Sequence, residues 1–337
     1  PVSISASQEK QKLGGRIEKV VEILFFLLPS TFSLLLFLVI RFFPMLHIRV
    51  PATSANLGPG FDCLGIALNV YLEVTTTPSE QDHFLYSGEG HIPDTPDNLM
   101  HEGFRAAYSR CKQSAPPVTF DVTNPIALAR GLGSSSAALV AGIALADSMM
   151  HGQLGRDGVF QLAAEMEGHP DNVAPAIYGG FTASVKRGDG SYLCERLELP
   201  AWTFLFGVPS FEVLTSEARS ALPDTYSRAD VIFNSSRTAL WTLAVALNQP
   251  ELLRVASQDA IHERFREKLV PGLAETRQKV LEAGAYAAFL SGAGPTVGVI
   301  CSGDVKETCQ SILQTFVKDG KVLELQASEG YRIVVPN

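Results

Sequence analysis

Three segments of the chain put glycine, serine and acid or amide side chains at spacings that could do chemistry. In residues 129–142, ARGLGSSSAALVAG, Gly131 and Gly133 precede Ser134, Ser135, Ser136 and a run of very small residues with helical character. Glycines there let backbone approach an anion closely, and the free N–H groups of the first helical turn face it with the positive end of the helix dipole. The three hydroxyls add donors and a possible magnesium ligand. The same residues could simply be a serine cap on a tightly packed alanine-rich helix. The loop lacks the Gly-Lys-Ser/Thr of a Walker A sequence and the third glycine of a dinucleotide fingerprint, and no GxSxG nucleophile elbow is present.

Residues 51–62, PATSANLGPGFD, crowd Asn56, Gly58, Gly60 and Asp62 into one turn, and residues 290–298, LSGAGPTVG, form a second glycine-rich turn. Either could be a purely structural turn. Between them lies EMEGHPDNVAPAIYGG (165–180), with Glu165, Glu167, His169, Asp171 and Asn172 within eight positions. His169 and Asp171 are the nearest groups able to exchange a proton, although a His-Pro turn followed by Asp also caps and aims the segment after it.

The elements that must hold these loops mix strands and helices without a regular βαβα beat, which argues for an α+β protein. Alternating or β-branched runs predict strands at 46–50, 67–76, 118–122, 180–185, 202–208, 285–290, 296–301 and 331–335. Apolar periodicity predicts helices at 98–111, 134–150, 156–167, 228–247, 251–262, 272–283 and 305–317. The change of pattern near Pro200 divides the body there.

Composition narrows the function classes. The 337 residues are 46% hydrophobic and 18% charged, enough for one large core or two ordinary ones, and disorder is excluded. Lys and Arg number 27 against 35 Asp and Glu, with no basic cluster able to track a phosphate backbone, so no nucleic-acid partner is expected. The cysteines, Cys63, Cys111, Cys194, Cys301 and Cys309, form no CxxC pair, which points to a reducing cytoplasm. Residues 23–40 are an uncharged run of 18, just long enough for a membrane-span candidate, but Pro29, Ser30, Thr31 and Ser33 interrupt its middle. Residues 1–44 are read as lying outside the functional protein, as translated upstream sequence or a cloning remnant, and no membrane association is expected. The remaining 293 residues carry 22 basic against 32 acidic side chains.

Taken in order, PATSANLGPGFD, GLGSSSAA, EGHPDNVAPAIYGG and LSGAGPT resemble the GHMP kinases, and NLGPGFD together with HPDNVAPA resembles their homoserine kinase branch. The resemblance runs from Met45 to the end. It implies an α+β, two-domain GHMP kinase fold, with a ribosomal protein S5 domain 2-like N-terminal domain over 45–200 and a ferredoxin-like C-terminal domain over 201–337. It implies ATP with its phosphates over Arg130, Gly131, Leu132, Gly133, Ser134, Ser135 and Ser136, and Mg2+ held by Ser135 and Glu165, with Glu167 the local rival. L-Homoserine would be held by Asn56, Asp62, Asn172, Arg219 and Arg266, with Arg264 the rival of Arg266. A carboxylate suits an ammonium, and guanidinium groups grip a carboxylate.

Other GHMP kinases place an aspartate as base where this chain has Asn172, which cannot take a proton at neutral pH. The resemblance therefore implies transfer that relies on positioning by Ser135, Glu165 and Asn172 more than on a base. It also implies a homodimer and a role in threonine biosynthesis. A GHMP kinase for another alcohol, such as mevalonate or a sugar, and a non-catalytic nucleotide-binding homologue remain as alternatives.

A chain beginning at Met45 is expected to be soluble and fully active, because nothing in residues 1–44 carries a group the chemistry needs. Loss of activity in that truncation would overturn this reading of the first 44 residues.

Overall fold

The computed structural model describes residues 45–334, and Met45–Asn337 forms one compact unit. The expectation for residues 23–40 lies outside the described residues. Among those described, no helix is long and apolar enough to cross a membrane.

The first half is built on a long, twisted antiparallel ribbon. Strand β1 (Leu46–Asn56) pairs with β2 (Gly60–Pro78) from Leu46↔Thr76 to Asn56↔Gly60. Positions 52–56 of β1 are buried on both faces, which suits their small side chains, Ala-Thr-Ser-Ala-Asn. At 19 residues β2 serves two partners. Its far part pairs with β4 (Val118–Asn124), and Leu64–Ile66 pair with β5 (Phe181–Lys186), which in turn pairs with β6 (Tyr192–Leu197). Strand β3 (His83–Gly88) lies parallel to β4, linked to it through helix α1 (Leu99–Arg110), whose N-terminus is capped by the Asn98 side chain.

Helix α2 (Ser134–Met149) is buried nearly all round, because a sequence of Ala, Gly, Val and Leu offers no polar face. It meets α1 at glycines: a Cβ at Gly142 would collide with the Met100 carbonyl. Helices α3 (Gly155–Glu167) and α4 (Val173–Tyr178) complete the layer.

The second sheet has the order β10-β7-β9-β8, from β7 (Thr203–Val208), β8 (Ala287–Leu290), β9 (Val297–Cys301) and β10 (Lys321–Leu325), all neighbours antiparallel. This is the strand order of a ferredoxin-like βαββαβ sheet. Helices α9 (Leu273–Glu282) and α10 (Lys306–Val317) pack on it around Leu205, Val280, Leu290, Val299 and Leu313. Between β7 and β8 come α5 (Thr215–Ser220), α6 (Arg228–Ala246), α7 (Leu253–Ala256) and α8 (Glu263–Arg266).

The gap between β6 and β7 contains residue 200, where the pattern changed. The final strand, β11 (Arg332–Val334), then crosses back to pair with β1. The helix expected over 251–262 is a correction. A short 3-10 turn at Pro250–Leu252 and the four-residue α7 end at Ser257, after which the chain wraps around Gly58 and is turned by the Asp259 carboxylate, which caps the backbone of Ile261, His262 and Glu263. Strands β3, β6 and β10 and helices α4, α5 and α8 have no counterpart among the expected elements.

The halves are tied by Trp241 of α6, fully buried and stacked on Phe181 of β5 with ring centroids 5.6 Å apart and planes 6° apart. Trp241→Ala should lower the unfolding free energy by about 3–5 kcal/mol, read as a shift in denaturation midpoint, since the cavity lies in a rigid inter-half contact. A shift below about 1 kcal/mol would mean that α6 is not anchored here.

Candidate active site

A cleft opens where the three glycine-rich segments meet. Helix α2 begins at Gly133, in left-handed backbone (φ 71°), and no side chain caps its first turn, so its N–H groups face the cleft. Gly131 (φ 74°) packs directly on the 291–294 turn, where a Cβ would strike the Ser291 carbonyl. Ser291 Oγ donates to the Gly131 carbonyl (2.6 Å) and so accepts from Ser54 Oγ (2.7 Å). Gly292 N–H donates to the Ala55 carbonyl at 3.0 Å.

Around the junction of β1 and β2 three non-glycine residues lie in left-handed backbone, Asn56 (φ 71°) at the end of β1, Leu57 (φ 49°) in the loop and Asp62 (φ 54°) at the start of β2, a conformation that surrounding contacts must impose. Asn56 supplies some of them. Its Nδ2 donates to the Gly292 carbonyl (2.9 Å) and its Oδ1 accepts from Asp62 N–H (3.1 Å), so both ends of its amide are spent on the walls of the cleft.

Around this frame the structure brings together most of the residues singled out above. Gly131, Leu132, Gly133, Ser134, Ser135, Ser136, Asn56, Asp62, Asn172, Arg219 and Arg266 all line one cleft. Arg130 lines it as well, but its guanidinium donates to the carbonyls of Leu128, Pro209 and Ser210 and pairs with Glu212, leaving it a brace beneath the loop. Arg264 pairs with Asp230 at 3.1 Å and does not line the cleft.

Glu165 is the residue the structure does not bring in. It is exposed on the outer side of α3 and ion-paired with Arg110. Glu167, two positions on, lines the cleft, and its Oε1 accepts from Ser136 Oγ at 2.9 Å. The phase of α3 carried this signal: Phe160, Ala163 and Ala164 form its buried face, and 167 follows 160 by seven and 163 by four, whereas 165 falls on the opposite side. Burial pushes the Glu167 carboxyl above its ordinary range, with His169 and the Ser136 hydroxyl opposing the shift.

The electrostatics of the far end are set by paired charges. Arg219 grips Asp62 with both terminal nitrogens, Nη2 to Oδ1 at 2.6 Å and Nη1 to Oδ2 at 3.1 Å, and this bond holds the guanidinium charged. Arg266 is buried and lowered to about 10, by burial first and then by the charge of Arg219. Phe61 lies beneath both, with the guanidinium carbons 5.5 and 5.3 Å from its ring centroid. His169 Nδ1 is 2.7 Å from Asp171 Oδ1. Burial opposes its charged form, but that bond and the Asp171 charge outweigh burial and raise its pKa. Asn172 Oδ1 accepts from the buried Thr53 hydroxyl at 2.8 Å, which orients its amide.

Two features were not anticipated. Thr53 and His262 support site residues without resembling ligands themselves, so residue type alone gave no sign of them. A cavity of about 320 Å³ also adjoins the start of α2, walled by Phe84, Tyr86, Ile92, Leu99 and Val122, with Ser134 and Ser135 at its edge. Its apolar lining is scattered over β2, β3, β4, α1, α2 and the loops between them.

The fold and cleft define a GHMP kinase. Residues 98–180 match the GHMP kinases N terminal domain and residues 243–319 the GHMP kinases C terminal domain. Within that class the chain belongs to the homoserine kinase family: it is 48% identical over 286 residues to the homoserine kinase of Thermus thermophilus, covering 85% of this chain and 97% of that one. It is 40% identical to the homoserine kinase of Moorella thermoacetica, over 81% and 93% of the two chains. A solved structure from Listeria monocytogenes, assigned as a homoserine kinase, superposes with a TM-score of 0.73 at 36% identity, covering 87% of this chain and all of that one.

The carboxylate that faces the cleft can be separated from its neighbour by mutation. Glu167→Gln should reduce turnover on the order of 100-fold, the scale of removing one charge-stabilising group. Glu165→Gln should change it by less than about fivefold, because an exposed ion pair contributes little. The opposite ranking in steady-state kinetics would return the role to Glu165.

Proposed function

We propose that this chain transfers the γ-phosphoryl group of ATP to the terminal hydroxyl of L-homoserine, giving O-phospho-L-homoserine and ADP in threonine biosynthesis. The observation that carries this reading is the set of Asp62, Arg219 and Arg266 within one cleft beside the glycine-serine loop. A small zwitterion matches that set: its ammonium replaces Arg219 at Asp62, and its carboxylate takes the guanidinium groups of Arg219 and Arg266.

The phosphates of ATP lie over the N–H groups and hydroxyls of 131–136, and the apolar cavity walled by Phe84, Tyr86 and Leu99 receives the planar base. The half-buried Glu167, hydrogen-bonded to a serine of the loop, supplies the hard oxygen that magnesium requires, so Glu167 with Ser135 or Ser136 would hold the ion. Bound there, magnesium neutralises charge on the phosphates as the γ-phosphoryl moves.

The substrate oxygen bonds to γ-phosphorus as the bridging oxygen to β-phosphorus leaves with ADP, and the hydroxyl proton passes to a non-bridging oxygen of the transferred phosphoryl group and on to water, with little need of a strong base. Asn172 lines the cleft with its carbonyl committed to Thr53 and its Nδ2 3.4 Å from Asp171 Oδ1. His169 lies beside Asp171, whose carboxylate favours the charged form of the ring against the effect of burial. The free thiols fit a cytoplasmic setting, and the exposed Ile232, Leu243 and Leu247 on α6 fit the homodimer implied by the resemblance.

Release of ADP with homoserine, mevalonate and galactose as alternative acceptors tests the substrate directly, and turnover of mevalonate or galactose in place of homoserine would overturn it. Arg219→Ala should lower kcat/KM for homoserine by about 10- to 1,000-fold while the KM for ATP hardly moves. Equal losses toward both substrates would instead assign Arg219 to the frame of the cleft.

A further inference from the structure

Arg266 is not free to sample positions in the cleft. A guanidinium has five N–H donors in a fixed plane. Nε donates to the Ala218 carbonyl at 3.1 Å, and Nη1 divides its hydrogens between the Gly292 carbonyl (3.0 Å) and His262 Nδ1 (3.1 Å). Among the described residues Nη2 has no protein acceptor, so its donors remain for a ligand. The two carbonyl partners are backbone. The third partner, His262, is a side chain, and it also ties the arginine to the opposite wall.

His262 is completely buried, and its partners leave it one protonation state. Its Nε2 lies 2.7 Å from the Gly58 carbonyl, which can only accept, so Nε2 carries the hydrogen. Its Nδ1 faces Arg266 Nη1, which can only donate, so Nδ1 is bare. A second ring proton would point at a cation, and burial, opposed by Asp259 and reinforced by Arg266, lowers the imidazole to about 4. The ring cannot easily turn: Phe61 stacks on it at 5.3 Å, and Asp259 caps the N–H groups of 262 and 263 at 2.8 Å each. Gly58 is fixed in turn, since a Cβ there would strike the Ser257 carbonyl, and Pro59 beside it is held by Asn234 and Thr238 of α6.

We infer that His262 is a positioning residue for the carboxylate clamp: as a neutral ring with a single permitted tautomer, it fixes Arg266 Nη1 to the 58–62 loop and thereby presents Nη2 to the amino-acid carboxylate. This rests on the homoserine reading above. His262 touches neither substrate nor phosphate, and its effect passes through Arg266 to the acceptor and not to ATP.

Two substitutions divide its bonds. His262→Gln keeps a donor at the distance of Nε2 for Gly58 but loses the acceptor for Arg266. His262→Asn keeps an oxygen at the place of Nδ1 for Arg266 but no longer reaches Gly58. His262→Gln should raise the homoserine KM by about 10- to 100-fold with the ATP KM within about twofold, and His262→Asn should recover most of that loss. In an Arg266→Lys background, where the Nη1 bond is already absent, His262→Gln should add less than about twofold to the homoserine KM. Equal effects of the two substitutions, equal losses toward homoserine and ATP, or multiplying effects in the Lys background would each overturn the inference and leave His262 as packing. Wild-type turnover of homoserine, measured alongside, tests the substrate reading separately. Should the variants fail to fold, the imidazole 15N shifts of the wild type at neutral pH decide: a bare Nδ1 with a protonated Nε2 supports the inference, and the opposite tautomer or a charged ring overturns it.

Discussion

The site depends on backbone meeting backbone. Residues 53–56, 129–133 and 291–294 come from the first strand, the loop before α2 and a turn of the second sheet, and they meet through backbone contacts and the short Ser54, Asn56 and Ser291 side chains. Gly131 lies against Ser291 and Gly294, Gly292 donates to Ala55, and Thr53 N–H donates to the Leu132 carbonyl at 3.0 Å. Only glycine permits that approach, and only left-handed backbone at Gly131 and Gly133 turns the loop so that the first N–H groups of α2 point into the cleft. The glycine-serine loop and the Asp62–Arg219 end of the cleft are therefore two faces of one packed junction, and the ferredoxin-like half contributes a buckle through Ser291 as well as bulk.

This junction explains what could be read from the amino-acid sequence. Glycine density before a run of small residues identifies a close backbone approach whatever the partner, so the 131–136 loop and the 291–294 turn were legible without knowing that they touch each other. The inner strands were legible because small or β-branched residues suit burial on both faces. Glu167 was lost for a different reason. Two carboxylates two positions apart look alike as a list, and only the inward phase of Phe160, Ala163 and Ala164 separates them. The broken stretch after residue 250 was misread as one helix because its apolar spacing is helical, while Ser257 and Asp259 turn the chain through contacts with Gly58 and their own backbone. Strands β3 and β10 sit at sheet edges with half their residues exposed, where alternation is weak.

Several residues with ligand-like chemistry are instead part of the frame. Asn56 spends both ends of its amide on Gly292 and Asp62, and Arg130 spends its guanidinium on three carbonyls and Glu212. The distinction is one of satisfied valence. A buried donor whose hydrogens are all committed builds the wall, and one with hydrogens left over faces the ligand. Arg266 does both at once, with Nε and Nη1 in the frame and Nη2 open, which makes its aim a property of the fold and not of side-chain freedom.

Arg219 and Asp62 hold opposite charges side by side in the same cleft. With 38% and 34% of their side chains exposed, solvent screening keeps the gain of the pair modest, and each neutralises the other's charge. An acceptor with a hydroxyl but no charges would leave that pair closed and gain nothing from it. A zwitterion can exchange partners with it, ammonium for guanidinium and carboxylate for carboxylate, without any charge being unpaired at the end. On the homoserine reading proposed above, the pair would discriminate by charge pattern before the hydroxyl is considered, and Nη2 of Arg266 would add a carboxylate contact. On that reading, selectivity for a zwitterion and charge balance at this end of the cleft would follow from the same two side chains.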